Sequence, residues 1–359
     1  MKTNLILFLS ALAFCGAVGQ SSAQTSEIGR SWTYVATQMP DDWYGSEDAV
    51  KIADQVLLYQ RESGGWPKNL PMHQPLTDAE KEALKETGPG MEPTLDNDAT
   101  TTEMKFMAKM YEKTEDPRYR RSFERGLDYL LGAQYDNGGW PQFYPLRGDY
   151  YNRITYNDNA QVNIMNLLKE IFDENPQYGF VATPETVVKA RTAFNKGVDC
   201  ILKTQIYVDG KPTVWCAQHD EFTLAPAKAR SYELPSFSGG ESTGIVLLLM
   251  ELPNPSPEVV ASIEGAIQWF EEHKIEGIRV QNVIDSEGRD RIVVSDPNAP
   301  AIWARFYDLD TQEPYFCGRD GIKKKTLAEI ERERRTGYSY YVSTPQRALD
   351  AYPAWKANR

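Results

Sequence analysis

Gln60-Arg61-Glu62-Ser63-Gly64-Gly65-Trp66-Pro67 recurs as Gln134-Tyr135-Asp136-Asn137-Gly138-Gly139-Trp140-Pro141. A weaker third copy runs from Gln205 through Asp209-Gly210 to Trp215. The three tryptophans lie 74 and then 75 residues apart. The segments that follow align as well. Thr94 to Met104, carrying Asp96-Asn97-Asp98, parallels Thr155 to Met165, carrying Asn157-Asp158-Asn159. The third unit offers Ser238-Gly239-Gly240-Glu241-Ser242, with Met250 read as its matching methionine. A period of this size holds two helices and their loops.

Helical patterns fill each unit. Thr100 and Glu103 have the spacing of a capping box. Met104, Met107, Met110 and Tyr111 then share one helical face. Pro117 opens the partner helix at its favoured first position, with Tyr119, Phe123, Leu127, Leu130 and Leu131 as its apolar stripe. Val162, Met165, Leu168 and Phe172 repeat the first pattern, and Thr183-Pro184 opens the next partner. In the third unit Ser256-Pro257 plays that part. Three repeated helix pairs predict a mainly α fold, an α/α toroid with its similar loops gathered at one end. Arg279–Ile284 and Arg291–Val294 around Ser286-Glu287-Gly288 predict a small hairpin. The remainder reads as loop-rich, with one charged, solvated helix near Lys323 to Arg335.

Composition bounds the rest. The 359 residues include 13 Phe, 20 Tyr and 8 Trp, which excludes a disordered chain. A net charge of −12 argues against nucleic acid and, taken alone, against any polyanionic ligand. Lys2, the apolar run Leu5–Val18 and Ser21-Ser22-Ala23 read as a secretory signal peptide over 1–23. The expected product is a single exported domain over 24–359, secreted or periplasmic, monomeric and without a membrane anchor. Cys200, Cys216 and Cys317 fit no zinc pattern and read as small buried hydrophobes.

The polar loops carry the chemistry. Asp or Asn before a helix is usually a cap. Two equivalent loops carrying Asp96 and Asp158 would, however, meet at one mouth of the toroid. Grouped carboxylates and amide oxygens suit a hard cation such as calcium, and carboxylate pairs also suit a glycosidase. Lys228 and Arg230 lie in Pro226–Pro235, Arg305 in Trp303–Tyr307, and Arg319 follows Tyr315–Gly318. Arginine among aromatics suits bidentate recognition of carboxylates. His219, in the third loop, is a candidate substrate contact, as is Asn159. Trp66 and Trp140 read more simply as packed corners than as sugar-stacking surfaces.

In combination, the Gly-Gly-Trp-Pro loops, Thr94–Met104, Ile154–Ala160, Trp215–Asp220, Pro226–Pro235 and Phe306–Asp310 resemble the family 10 polysaccharide lyases, bacterial pectate lyases built on an α/α toroid. The likeness runs from about Ala49 to Tyr340. It implies calcium-assisted β-elimination of α-1,4-polygalacturonate, giving 4,5-unsaturated products. Asp96 matches the family's essential aspartate and Asp158 a second aspartate of the calcium and substrate site. Arg230 matches the arginine taken as base, with Lys228 as its rival. Arg305 and Arg319 match arginines that hold galacturonate carboxylates. The alternatives are an inverting toroid glycosidase using a carboxylate pair and a non-catalytic pectin-binding protein. A polyanionic substrate then requires a local reversal of the chain's net charge, supplied by these arginines and calcium.

Overall fold

The computed structural model describes residues 29–359, apart from 86, 87, 89 and 174. The expected leader at 1–23 lies outside them. The helices used below are α1 (Trp32–Thr37), α2 (Glu47–Tyr59), α3 (Asp78–Ala83), α4 (Thr101–Thr114), α5 (Pro117–Ala133), α6 (Ala160–Phe172), α7 (Pro184–Thr204), α8 (Gly239–Met250), α9 (Pro257–Glu272), α10 (Arg332–Gly337) and α11 (Pro345–Ala357). Consecutive helices pack as the pairs α4/α5, α6/α7 and α8/α9. Within the set, α4, α6 and α8 touch in series, and so do α5, α7 and α9. These are the inner and outer rows of an α/α toroid. One end is covered by α2, against α4 and α5; at the other, α11 lies against α8 and α9.

The two rows differ in sequence because they differ in surroundings. Outer helix α5 starts at Pro117, with Asp116 accepting from Arg118 N at 2.8 Å, and buries Tyr119, Phe123, Leu127 and Leu130 on one side. Inner helix α8 buries Ile245, Val246, Leu248 and Leu249 and leaves only Gly240, Gly244, Leu247 and Met250 partly open. A helix with neighbours on most sides needs only a narrow solvent-facing stripe.

The repeated corners are built by one hydrogen-bond pattern. Trp66 Nε1 donates to Val56 O at 3.0 Å, Trp140 Nε1 to Leu130 O at 2.8 Å and Trp215 Nε1 to Ile201 O at 2.7 Å. Gln60, Gln134 and Gln205 each tie their own loop to the next outer helix, through Ser122 O, Ala193 O and Ser262 O. Gly138 must be glycine: its φ is +93° and a Cβ would stand 1.9 Å from Lys196 O. All three tryptophans are fully buried, as packed corners should be. Trp303 makes a fourth corner, donating to Phe270 O at 2.8 Å without a Gly-Gly-Trp-Pro signature.

Several local expectations change. Thr100 caps nothing with its side chain; its φ is 67°. The hydroxyl instead accepts from Trp66 N at 3.0 Å and donates to Thr94 O at 2.9 Å. Ser242 does the same for Trp215 N, so Val246, and not Met250, holds the place of Met104. The hairpin is present as β3 (Ile278–Asp285) and β4 (Gly288–Ser295), with β1 (Ile154–Thr155) and β2 (Gln218–His219) preceding it in the chain. The single charged helix at 323–335 is absent. Lys323–Lys324 pairs as a strand with Phe316–Cys317, and only Arg332–Gly337 is α-helical. That helix is not simply solvated: Arg335 grips Asp290 and Arg332 grips Asp285, clasping the hairpin. Cys200, Cys216 and Cys317 are free and buried.

Candidate active site

The loops before α4 and α6 meet at one mouth, where a cleft of about 280 Å³ opens. Asp96, Asp158 and Arg230 all line it. The first loop is anchored from below. Thr94 Oγ1 donates to Gln142 O at 2.6 Å, and Leu95 N donates to the same oxygen at 3.0 Å. The second loop is anchored by β1, which pairs with β2, and by Tyr156 N and Asn157 N, both donating to Ala217 O at 2.9 Å. Asn97, Asp98, Asp158 and Asn159 all have positive φ. Asx residues tolerate that region best, so the residue types that could ligate a cation are also those the turn admits.

Asp96 is buried, and one carboxylate oxygen pairs with Lys68. Its other oxygen, Oδ1, is buried without a partner, and so is Oε1 of Gln142, which lines the same cleft. A buried acceptor left unsatisfied costs roughly 1–3 kcal/mol, so two at one cleft mark a place built for a donor or a cation. Asp158 is more exposed. Asn157 donates to its Oδ2 at 2.6 Å, and burial raises its pKa despite the opposing charge of Arg305; Asp96 adds to the rise.

Arg230 is held by Glu233, with Nε to Oε2 at 2.7 Å and Nη2 to Oε1 at 2.5 Å. Burial pulls its pKa down, but Glu233 outweighs burial and the net shift is up. Nη1 makes no hydrogen bond to any described residue. Tyr338 donates to Glu233 Oε1 at 2.8 Å. Arg305 stacks over Tyr338 at 4.5 Å and contacts Glu241 Oε1 at 2.5 Å and Asn157 Oδ1 at 2.9 Å. It lies behind the cleft wall, 3.9 Å from Asp158.

The remaining candidates are placed elsewhere. Arg319 is exposed and paired with Glu333 at 3.0 and 3.1 Å. Lys228 is exposed and does not line the cleft. His219 is fully buried; its Nε2 accepts from Cys216 N at 3.1 Å and its Nδ1 faces Leu224 O at 2.9 Å. Burial pulls its pKa down to about 4. A neutral ring with both nitrogens committed has nothing to offer a substrate, so His219 braces the loop and does not contact the cleft. Asn159 lines a separate trough between α6, α8 and α11.

Residues not singled out from the sequence complete the cleft. Lys68 follows the first Gly-Gly-Trp-Pro and neutralises Asp96. Arg147 stacks over Phe143 at 5.0 Å and Tyr151 at 4.4 Å, and Tyr150 stands beside them. Glu241 was visible in the third repeat; its pairing with Arg305 was not. The cleft lining pairs three cations, Lys68, Arg147 and Arg230, with three carboxylates, Asp96, Asp158 and Glu233, beside the aromatic rings of Phe143, Tyr150 and Tyr151. A polyanion there needs further positive charge, which a bound cation would supply.

A family model for pectic acid lyase matches residues 60–349. Among solved structures, the family 10 polysaccharide lyase from Cellvibrio cellulosa is 32% identical, with a TM-score of 0.75, over 88% of this chain and 95% of that one. An aspartate-to-alanine mutant of the family 10 polysaccharide lyase from Cellvibrio cellulosa, in complex with trigalacturonic acid, is 33% identical, with a TM-score of 0.74, over 87% and 95% of the two chains. No curated protein matches. With the toroid, the twin loops and a match over most of its length, this chain belongs to the pectic acid lyases of polysaccharide lyase family 10.

Proposed function

We propose that this lyase cleaves α-1,4-polygalacturonate by calcium-assisted β-elimination, as an exported, monomeric, single-domain enzyme. The observation that carries the reading is the convergence of Asp96, Asp158 and Arg230 on one cleft. The solved relative bound to trigalacturonic acid supports the substrate class.

The donors fit a hard cation. Asp96 Oδ1 and Gln142 Oε1 are buried oxygens without partners, and Asp158 lines the same wall. Among the described residues no cluster of three or more acidic, histidine or cysteine groups forms a metal cage. A cation here would therefore share its shell with substrate oxygens. When bound, calcium supplies positive charge against the galacturonate carboxylate and the charge developing next to it.

The chain's own residues then divide the work. Lys68 and Arg147 line the cleft and draw the polyanion in. Tyr150 and Tyr151 form an aromatic wall for the sugar ring. Arg230 takes the C5 proton at Nη1. The C5–H electron pair becomes the C4–C5 double bond, and the C4–O bond breaks with its pair on the leaving oxygen, which is then protonated. Glu233 orients Arg230 but also holds it charged, so the base form is scarce and activity should rise toward alkaline pH. Lys228 is the weaker candidate for base because it lies outside the cleft lining.

The test is product analysis on polygalacturonate with and without a chelator, for wild type and Arg230→Ala. Ultraviolet absorbance from an unsaturated product should appear in wild type and vanish with chelator. Arg230→Ala should lower it by about 10²–10⁴-fold. Saturated products would point to a glycosidase, and binding without turnover to a pectin-binding protein.

A further inference from the structure

Phe222 is 86% exposed, the most exposed large hydrophobic side chain among the described residues. Its setting is not a loose loop. Asp220 Oδ1 accepts from Phe222 N at 3.1 Å, Thr223 N at 2.9 Å and Thr223 Oγ1 at 3.1 Å. Arg153 pairs with both Asp220 and Glu221. Asn137, in the second Gly-Gly-Trp-Pro loop, donates to Glu221 O at 2.8 Å. Leu224 closes the turn at φ 64°, a strained value for a residue with a bulky side chain. Buried His219 secures it by donating from Nδ1 to Leu224 O. The turn is over-determined by its partners, yet the aromatic ring it presents touches little of the protein.

The turn is joined to the cleft twice. Gln218, at the start of β2, lines the cleft, and Phe222 follows four residues later, at most about 14 Å of chain away. Arg153 follows Tyr150 and Tyr151 of the cleft's aromatic wall. The cleft balances three cations against three carboxylates, whereas the turn carries two carboxylates against one guanidinium. An apolar ring there gains nothing from a free carboxylate, but it can cover the apolar face of a pyranose.

We propose that Phe222 is a distal stacking platform for a sugar ring of the polymer beyond the catalytic cleft, with His219 and Asp220 as its positioning residues. This rests on the polygalacturonate reading above. It gives the enzyme a preference for long chains over short oligomers, and one insensitive to salt, because it comes from ring contact and not from charge.

The test compares kcat/KM on polygalacturonate and on trigalacturonate for wild type, Phe222→Ala, Phe222→Trp and Ile284→Ala. Ile284, 81% exposed on the hairpin, is the control for loss of an exposed apolar side chain. Phe222→Ala should lower the polymer-to-trimer ratio about tenfold, at low and at raised salt alike. Phe222→Trp and Ile284→Ala should keep the wild-type ratio. An unchanged ratio in Phe222→Ala overturns the platform, as does a loss that disappears at raised salt. If wild type cleaves neither substrate, the lyase reading fails, and affinity electrophoresis in polygalacturonate then decides on Phe222. Equal retardation of wild type and Phe222→Ala would overturn the platform in that case too.

Discussion

The loops Thr94–Met104 and Thr155–Met165 occupy equivalent places in the repeat, but they are not chemically equivalent. Where the first has Asp96-Asn97, the second has Asn157-Asp158. Moving the carboxylate by one position turns it from a buried site to an exposed one. Asp96 is buried against Lys68, whereas Asp158 looks into the cleft with Arg305 behind it. The buried position of the second loop goes to Asn157, whose amide oxygen accepts from Arg305. The lesson is that the repeat builds the frame and small breaks in the repeat build the site. The corners should therefore respond alike to mutation, and the loops should not.

The largest effects test the shared frame. Trp66→Ala and Trp140→Ala each remove a fully buried indole and its hydrogen bond to a helix carbonyl, Val56 O in α2 and Leu130 O in α5. Each should cost about 3–5 kcal/mol of stability in urea unfolding. A difference between them of more than about 2 kcal/mol would show that the two corners are not equivalent supports.

Next in size come the loop carboxylates, where symmetry should break. Asp96→Asn keeps the shape but removes the charge that faces Lys68 and the empty side of the cleft. It should lower kcat/KM by about 10³-fold, or roughly 4 kcal/mol. Asp158→Asn should cost less, about 10–100-fold, because Asp158 is more exposed and Arg305 already has Glu241 and Asn157 as partners. Steady-state rates with matched thermal midpoints would check both. Equal losses would mean that the one-residue shift is incidental.

How much of this was legible in the sequence follows the same division. The period, the helix pairs, the corners and the hairpin could be read because each depends on local pattern. The Thr100–Glu103 capping box failed because Trp66 N, distant in sequence, claims the Thr100 hydroxyl. Trp303 was read as a neighbour of Arg305 and not as a fourth corner, since it lacks the glycines that made the others recognisable. Asp96, Asp158 and Arg230 do share a cleft. His219 was misread because its place in a repeat loop is visible in the sequence and its burial is not. Glu233 and Tyr338 escaped notice because their roles exist only through contact with Arg230 and Arg305 across the fold.

The smallest effect comes from a second break in the repeat. Glu103 stands where the other loop has Ile164, and both are buried. Trp32 Nε1 donates to Glu103 Oε1 at 2.6 Å, and Oε2 has no partner. Burial, only partly opposed by the Trp32 bond and by backbone N–H groups at Glu103 and Thr100, pushes the carboxyl pKa up to about 7. In the unfolded chain it lies near 4.3. Between those values the folded state holds the proton that the unfolded state has lost. Stability from this group is therefore complete below about pH 4 and falls as pH rises toward about 7. Glu103→Gln removes the titration while keeping an acceptor for Trp32. The variant should lose part of the decline in unfolding free energy, read from urea titrations, between about pH 4 and pH 7, by an amount on the order of 1–3 kcal/mol. Ile164→Val, the matching change in the second loop, should lower stability by about 1 kcal/mol at every pH. Parallel pH profiles for wild type and Glu103→Gln would mean that Glu103 is charged in the fold. Its carboxylate would then be held by the Trp32 indole and by the backbone N–H groups at Glu103 and Thr100, where the second loop has only an aliphatic side chain.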